Sequence, residues 1–128
     1  MTDFSMSSEL AEEDRFCKIF VRNAEPSVLM KLIAGLLGGR FEIRSLTLPT
    51  ATVDVLRNPE VRGDSVEFIF WPSLVEIEAQ ESIDAEEMIA VTRRILIALW
   101  DAGLSAVAAC GFEDELPWRG GIDRLSPQ

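Results

Sequence analysis

The sequence predicts one α+β domain of the ferredoxin-like kind, a βαββαβ chain with a four-stranded antiparallel sheet and two helices on one face. Three observations lead there. Extended segments whose side chains alternate between two faces are interleaved with two segments of helical period. Both helical segments carry their own start and stop residues. A chain of 128 residues, 48% hydrophobic and 27% charged, is long and apolar enough to bury one core.

Residues 1–14 are polar and acidic without a sustained period, which predicts a flexible acidic arm outside a single domain spanning 15–128. From Phe16 to Arg22, Cys17, Ile19 and Val21 alternate with Phe16, Lys18, Phe20 and Arg22, the pattern of a first strand. Pro26 suits a first helical turn; Leu29, Leu32, Ile33, Leu36 and Leu37 recur at helical spacing; Gly38-Gly39 supplies a left-handed stop. Phe41 to Leu48 and Thr52 to Leu56 are expected as one second strand in two pieces, interrupted at Pro49 as an edge strand tolerates. The turn formers from Arg57 to Asp64 then lead into a third strand, Val66 to Trp71, continued by Leu74 to Glu78 past a bulge at Pro72-Ser73.

Asp84 and Glu87 have capping-box spacing, with Ile83 and Met88 placed to staple across it. Met88, Val91, Ile95, Leu99 and Ala102 then form the buried stripe of a second helix, ended by Gly103. Ser105 to Cys110 is a short apolar last strand, and an acidic tail containing Gly and Pro covers 111–128.

Twenty-two acidic against 12 basic side chains give a formal net charge of −10, a field that repels phosphate backbones and anionic membranes and attracts basic partners. Direct nucleic-acid binding and membrane binding are therefore not expected. The start of the chain lacks the basic and apolar stretches of an export signal, and Cys17 and Cys110 make neither a disulfide framework nor a metal spacing, so a cytoplasmic protein is expected.

There is no histidine and no tyrosine, which removes the commonest general base and transition-metal ligand. No Gly-rich loop joins a strand to a helix in the phosphate-binding manner, so no catalytic residue, metal or cofactor is expected. Cys110, with the acid Glu113 close behind it, reads as a buried small residue rather than a nucleophile. Because this topology sets the last strand beside the first, whether Cys110 meets Cys17 is a matter for the fold.

Between Asp64 and Thr92 stand eight acids, Asp64, Glu67, Glu76, Glu78, Glu81, Asp84, Glu86 and Glu87, and no base precedes Arg93. Glu76 and Glu78, two apart in a strand, share one side of the sheet. Such a face is a solvated surface, a docking site for a basic protein, or a hard-cation site. The tail joins Glu113-Asp114-Glu115 to Trp118, Arg119 and Gly120-Gly121. Trp and Arg are over-represented at interface centres and acids steer a basic partner, whereas the other reading has Phe112 and Trp118 fold back to close the core. Phe16 with Phe20, and Phe68 with Phe70, are expected to share strand faces as in RNA-binding sheets, yet acids stand where that signature has basic residues. The candidate partner-binding set is Trp71, Glu76, Glu78, Glu113, Asp114, Glu115, Trp118 and Arg119, with the two tryptophans as apolar anchors.

At Phe70-Trp71-Pro72-Ser73-Leu74-Val75-Glu76-Ile77-Glu78-Ala79 and Ala108-Ala109-Cys110-Gly111-Phe112-Glu113-Asp114-Glu115-Leu116-Pro117, the chain resembles small acidic actinobacterial proteins that look like immunity partners of polymorphic toxins. The resemblance rests on these two stretches within the C-terminal two-thirds of the chain. It implies a non-enzymatic protein, without cofactor, that binds and neutralises one cognate toxin domain, commonly basic, by occluding its active site. It places no contact residue by motif. The alternative is a small-molecule-sensing or regulatory domain that forms a homodimer.

Overall fold

The structure, a computed structural model, describes residues 10–63 and 66–125. In chain order the elements are β1 (Phe16–Val21), α1 (Pro26–Leu37), β2 (Ser45–Thr47), β3 (Ala51–Arg57), β4 (Ser73–Ala79), α2 (Ala85–Asp101) and β5 (Ala106–Ala109). Short 3-10 turns lie at Glu12–Asp14, Phe68–Phe70, Glu113–Glu115 and Pro117–Arg124. The strands form one sheet in the order β2-β3-β4-β1-β5, and every neighbouring pair is antiparallel. The α+β class is as expected, but the sheet has five strands rather than four.

The extra strand arises at Pro49. The two extended pieces around it are not one interrupted strand, because the chain reverses there: the Leu48 N–H donates to the Ala51 carbonyl, and Ser45, Leu46 and Thr47 pair with Asp54, Val53 and Thr52. Proline fixes φ and has no N–H, so a turn suits it better than a ladder. With β2 set aside, β3-β4-β1-β5 follows the order expected of the split βαβ arrangement.

The strand expected from Val66 to Trp71 does not form either. Phe68–Phe70 is a 3-10 turn, and the partner strand of β3 begins only at Ser73, at the expected bulge. Asn58, buried, donates its amide to the carbonyls of Ile69 at 2.9 Å and Trp71 at 2.7 Å and accepts from the Glu60 N–H at 2.9 Å. Those carbonyls are thereby taken from any ladder, and Pro72 has no donor to offer one. Phe68 and Phe70 consequently do not share a strand face. The expected loose arm also ends early: Leu10 packs on the core and Glu12–Asp14 form a turn. Residues 1–9, and Asp64 of the acidic set, lie outside the described residues.

Alternation divides the sheet into two faces. Cys17, Ile19 and Val21 of β1, Val53 and Val55 of β3, and Val75 and Ile77 of β4 face the helices, where they meet Leu29 and Ile33 of α1 and Met88, Ile95 and Leu99 of α2. The start of α2 is the expected capping box, Asp84 accepting from the Glu87 N–H at 2.9 Å and Glu87 from the Asp84 N–H at 3.0 Å, with Ile83 and Met88 both buried beside it. On the opposite face Phe20, Leu74 and Val107 form a smaller cluster with Trp71, covered by Phe68, Leu56, Ile122 and Leu125.

The tail connects these faces. Phe112 and Leu116 sit in the helix-side core, whereas Ile122 and Leu125 pack on the other side, so the chain passes around the edge of β5. Four consecutive residues of that passage have positive φ: Trp118 at 57°, Arg119 at 48°, Gly120 at 78° and Gly121 at 107°. A Cβ at Gly121 would stand 2.4 Å from the Ala106 carbonyl oxygen and 3.0 Å from the Trp100 ring, which is why glycine occupies the position. The turn covers an edge that would otherwise be open to pairing with another chain.

Candidate interaction surface

The predicted site residues fall in separate places. Glu76 and Glu78 project from β4 on the face opposite the helices, as their spacing predicts. Strand register adds neighbours that the sequence alone does not give: Asp54 stands opposite Glu76 on β3 and Lys18 on β1. Lys18 Nζ lies 4.0 Å from Glu76 Oε2, and the Ser45 hydroxyl donates to Asp54. Glu78, flanked by Thr52 and Phe16, is exposed. A half-exposed pair at that distance adds little stability, but it places a cation against Glu76. Of the acids of residues 66–92, Asp84 and Glu87 serve the α2 cap, whereas Glu76 and Glu78 belong to the sheet.

Trp71 is not an exposed anchor. It is 3% exposed, packs edge-on against Phe68 at 6.3 Å, and carries the Arg22 guanidinium 5.9 Å above its ring. Its indole N–H has no acceptor among the described residues. A Trp N–H adds polarity that a core seldom leaves unpaired.

The remaining residues share one turn. Glu113, Asp114 and Glu115 form a 3-10 turn after β5, and Glu113 Oε2 accepts from the Cys110 N–H at 2.9 Å. Asp114 and Glu115 make no ion pair among the described residues. Trp118 is 55% exposed. Arg119 forks onto Asp123, Nε donating at 3.0 Å and Nη2 at 2.7 Å. That hydrogen bonding, then the charge of Asp123, raises the Arg119 pKa, with smaller help from Asp114 and Glu113. The same bond holds the Asp123 carboxyl below its ordinary range. Arg119 thus closes the turn on itself instead of offering a free cation. Arg124 completes the arrangement, its guanidinium 4.6 Å from the Trp100 ring and 5.8 Å from that of Trp118.

Phe112 and Trp118 therefore part company: Phe112 closes the core and Trp118 stays in water. Sequence reasoning missed Asp54, Asp123 and Arg124. The four-residue spacing of Arg119 and Asp123 was the signal available for one of them; Asp54 needed the strand register. Chemically the surface offers carboxylates and one aromatic face, suited to cations and apolar contact.

Among the described residues no group of three or more His, Cys, Asp or Glu side chains is arranged to hold a metal ion. Nor, among them, is any helix long and apolar enough to cross a membrane. No family model, curated protein or solved structure matches the chain.

Proposed function

We propose that this chain is a non-catalytic binding protein of the immunity type, whose C-terminal turn engages a basic protein, such as a toxin domain, and occludes its active cleft. The observation that carries the reading is Trp118. The residue is more than half exposed, on a left-handed backbone that disfavours a bulky side chain, a few positions after Asp114 and Glu115, which make no ion pair among the described residues. Unfavourable backbone at a large apolar side chain in water is typical of residues needed by something outside the fold. The carboxylates would steer a basic partner, and the ring would fill an apolar pocket on it. Glu76 and Glu78, apart from the turn on the open sheet face, offer a second acidic contact. The resemblance at Phe70–Ala79 and Ala108–Pro117 and the net charge of −10 support the same partner class. We read the fold as ferredoxin-like with a hairpin strand added at one edge, and the site of action as the cytoplasm, where free thiols persist.

One observation favours a second reading, a small-molecule-sensing regulatory domain. A pocket of about 440 Å³ lies over the open sheet face, lined by Phe20, Leu56, Leu74 and Phe70 with Lys18 and Glu76 at its polar side. The test separates the two. The tagged full chain is expressed in its native host and purified at low and moderate salt. A co-purifying basic protein is then made pure and assayed with wild type, with Glu113→Lys/Asp114→Lys/Glu115→Lys, and with Trp118→Ala. The immunity reading requires that wild type block the partner's activity and that both variants block it less well. Recovery of self-associated chain alone, or of a bound metabolite, transfers the assignment to the sensor.

A further inference from the structure

We propose that Cys17 and Cys110 form a redox-modification site at which a small neutral peroxide converts the two thiols into an intramolecular disulfide joining β5 to β1. The last paired positions of these strands are Lys18 and Ala109, so one step further sets Cys17 opposite Cys110. Opposed residues of antiparallel strands have Cα atoms about 4.5–5.5 Å apart, inside the roughly 4.4–6.8 Å that disulfides span. Both side chains lie on the helix side, Cys17 within the core and Cys110 packed against it, and both are free thiols. The bond therefore needs little backbone movement.

The two sulfurs are not equivalent. Cys17 is fully buried, whereas Cys110 is half-buried, so an oxidant reaches Cys110 first. The thiols interact: a hydrogen bond from Cys17 favours the Cys110 thiolate and lowers its pKa, against opposition from burial, Glu113 and Asp14. Cys17 is pushed the other way by that bond and by burial. Cys110 is thus the attacking sulfur and Cys17 the resolving one. Glu113 and Asp14 beside Cys110 disfavour an anionic oxidant such as glutathione disulfide and leave a neutral peroxide as the class that fits.

The Cys110 thiolate attacks one oxygen of hydrogen peroxide, the O–O bond breaks, and hydroxide leaves and takes up a proton as water. Cys110 is now a sulfenic acid. The Cys17 sulfur attacks the Cys110 sulfur, the S–O bond breaks, and the departing hydroxide takes the Cys17 proton. In sum two thiols and one peroxide give one disulfide and two waters. The link ties the edge strand β5 to its inner neighbour β1 at the root of the tail, and it does not depend on the proposed partner.

The test treats purified full-length protein with hydrogen peroxide and follows intact mass under non-reducing conditions alongside thiol titration after denaturation. The expected result is loss of two hydrogens, a fall from two thiols to none without dimer, and recovery of both with dithiothreitol. In Cys17→Ser, Cys110 should accumulate as a sulfenic acid trapped by dimedone; in Cys110→Ser, Cys17 should remain reduced. Disulfide-linked dimers, added oxygen on wild-type Cys110 with Cys17 still free, or two thiols surviving the treatment would overturn the proposal. Far-ultraviolet circular dichroism establishes that each variant is folded, so oxidation of Cys17 in Cys110→Ser would count against the proposal and not merely report a lost fold.

Discussion

Replacing Gly121 with alanine tests how the tail is held against β5. At φ 107° an L-residue is strained by about 1–3 kcal/mol. The new Cβ would also stand 2.4 Å from the Ala106 carbonyl oxygen, a backbone atom that no side-chain rotation can move. The chain must accept that overlap or lift the turn away. Lifting exposes Ile122 and Leu125, both half-buried on the open face, at about 1 kcal/mol each if half of the usual burial energy is lost. Either route leads to a loss of about 2–3 kcal/mol, and with a slope of about 1–3 kcal/mol per molar the urea midpoint should fall by about 1–2 M. Gly35 is the control. It lies inside α1, and a Cβ there meets nothing within 4 Å, so Gly35→Ala should stabilise by about 0.5–1 kcal/mol. Urea titration followed by circular dichroism and tryptophan emission reads both variants. If Gly121→Ala lies within about 0.5 kcal/mol of wild type with unchanged emission, the account of the β5 edge is wrong.

Three further perturbations probe independent parts of the fold. Asn58→Ala removes the amide that holds Ile69, Trp71 and Glu60 and should lower stability by about 2–4 kcal/mol through lost bonds and the buried Trp71 carbonyl left unsatisfied; a loss no larger than that of a surface substitution, read in the same titration, would contradict this. Asp84→Ala deletes the α2 cap and should cost about 1 kcal/mol, while Asp84→Asn retains most of it; equal loss in both would show that the cap hydrogen bond is not the cause. Iodoacetamide should label native Cys110 with a pH midpoint below that of an ordinary thiol and leave Cys17 untouched. The lowered pKa makes the thiolate available at lower pH, and Cys17→Ala should move the midpoint upward by removing the bond that lowers it; an unmoved midpoint would refute the coupling.

Elements whose signals are local were legible in the sequence. The α2 start depends on Asp84, Ile83, Glu87 and Met88, all within six consecutive positions, and α1 is bounded by Pro26 and by Gly38-Gly39, which take φ 76° and 105°. What escaped depends on contacts distant in sequence. Pro49 reads alike as an interruption or as a reversal until Leu46 finds Val53. Val66 to Trp71 has the composition of a strand, yet Asn58, 11 and 13 positions before the carbonyls it binds, holds the segment out of the sheet. At the candidate surface the charges of Glu113–Glu115 were visible. The fate of each tryptophan was not, since composition cannot say that Trp71 packs under Arg22 while Trp118 is lifted into water by a left-handed turn. The meeting of Cys17 and Cys110, 93 positions apart, follows from the sheet order and register.

We propose the acidic turn around Trp118 as a recognition surface for a basic protein. Stopped-flow association of the co-purifying partner with wild type and with the Glu113→Lys/Asp114→Lys/Glu115→Lys variant, across a salt series, tests it most directly. Wild type should associate at least about tenfold faster than the variant at low salt, and the two rates should converge as salt screens the charges. Equal rates at every salt concentration would contradict it.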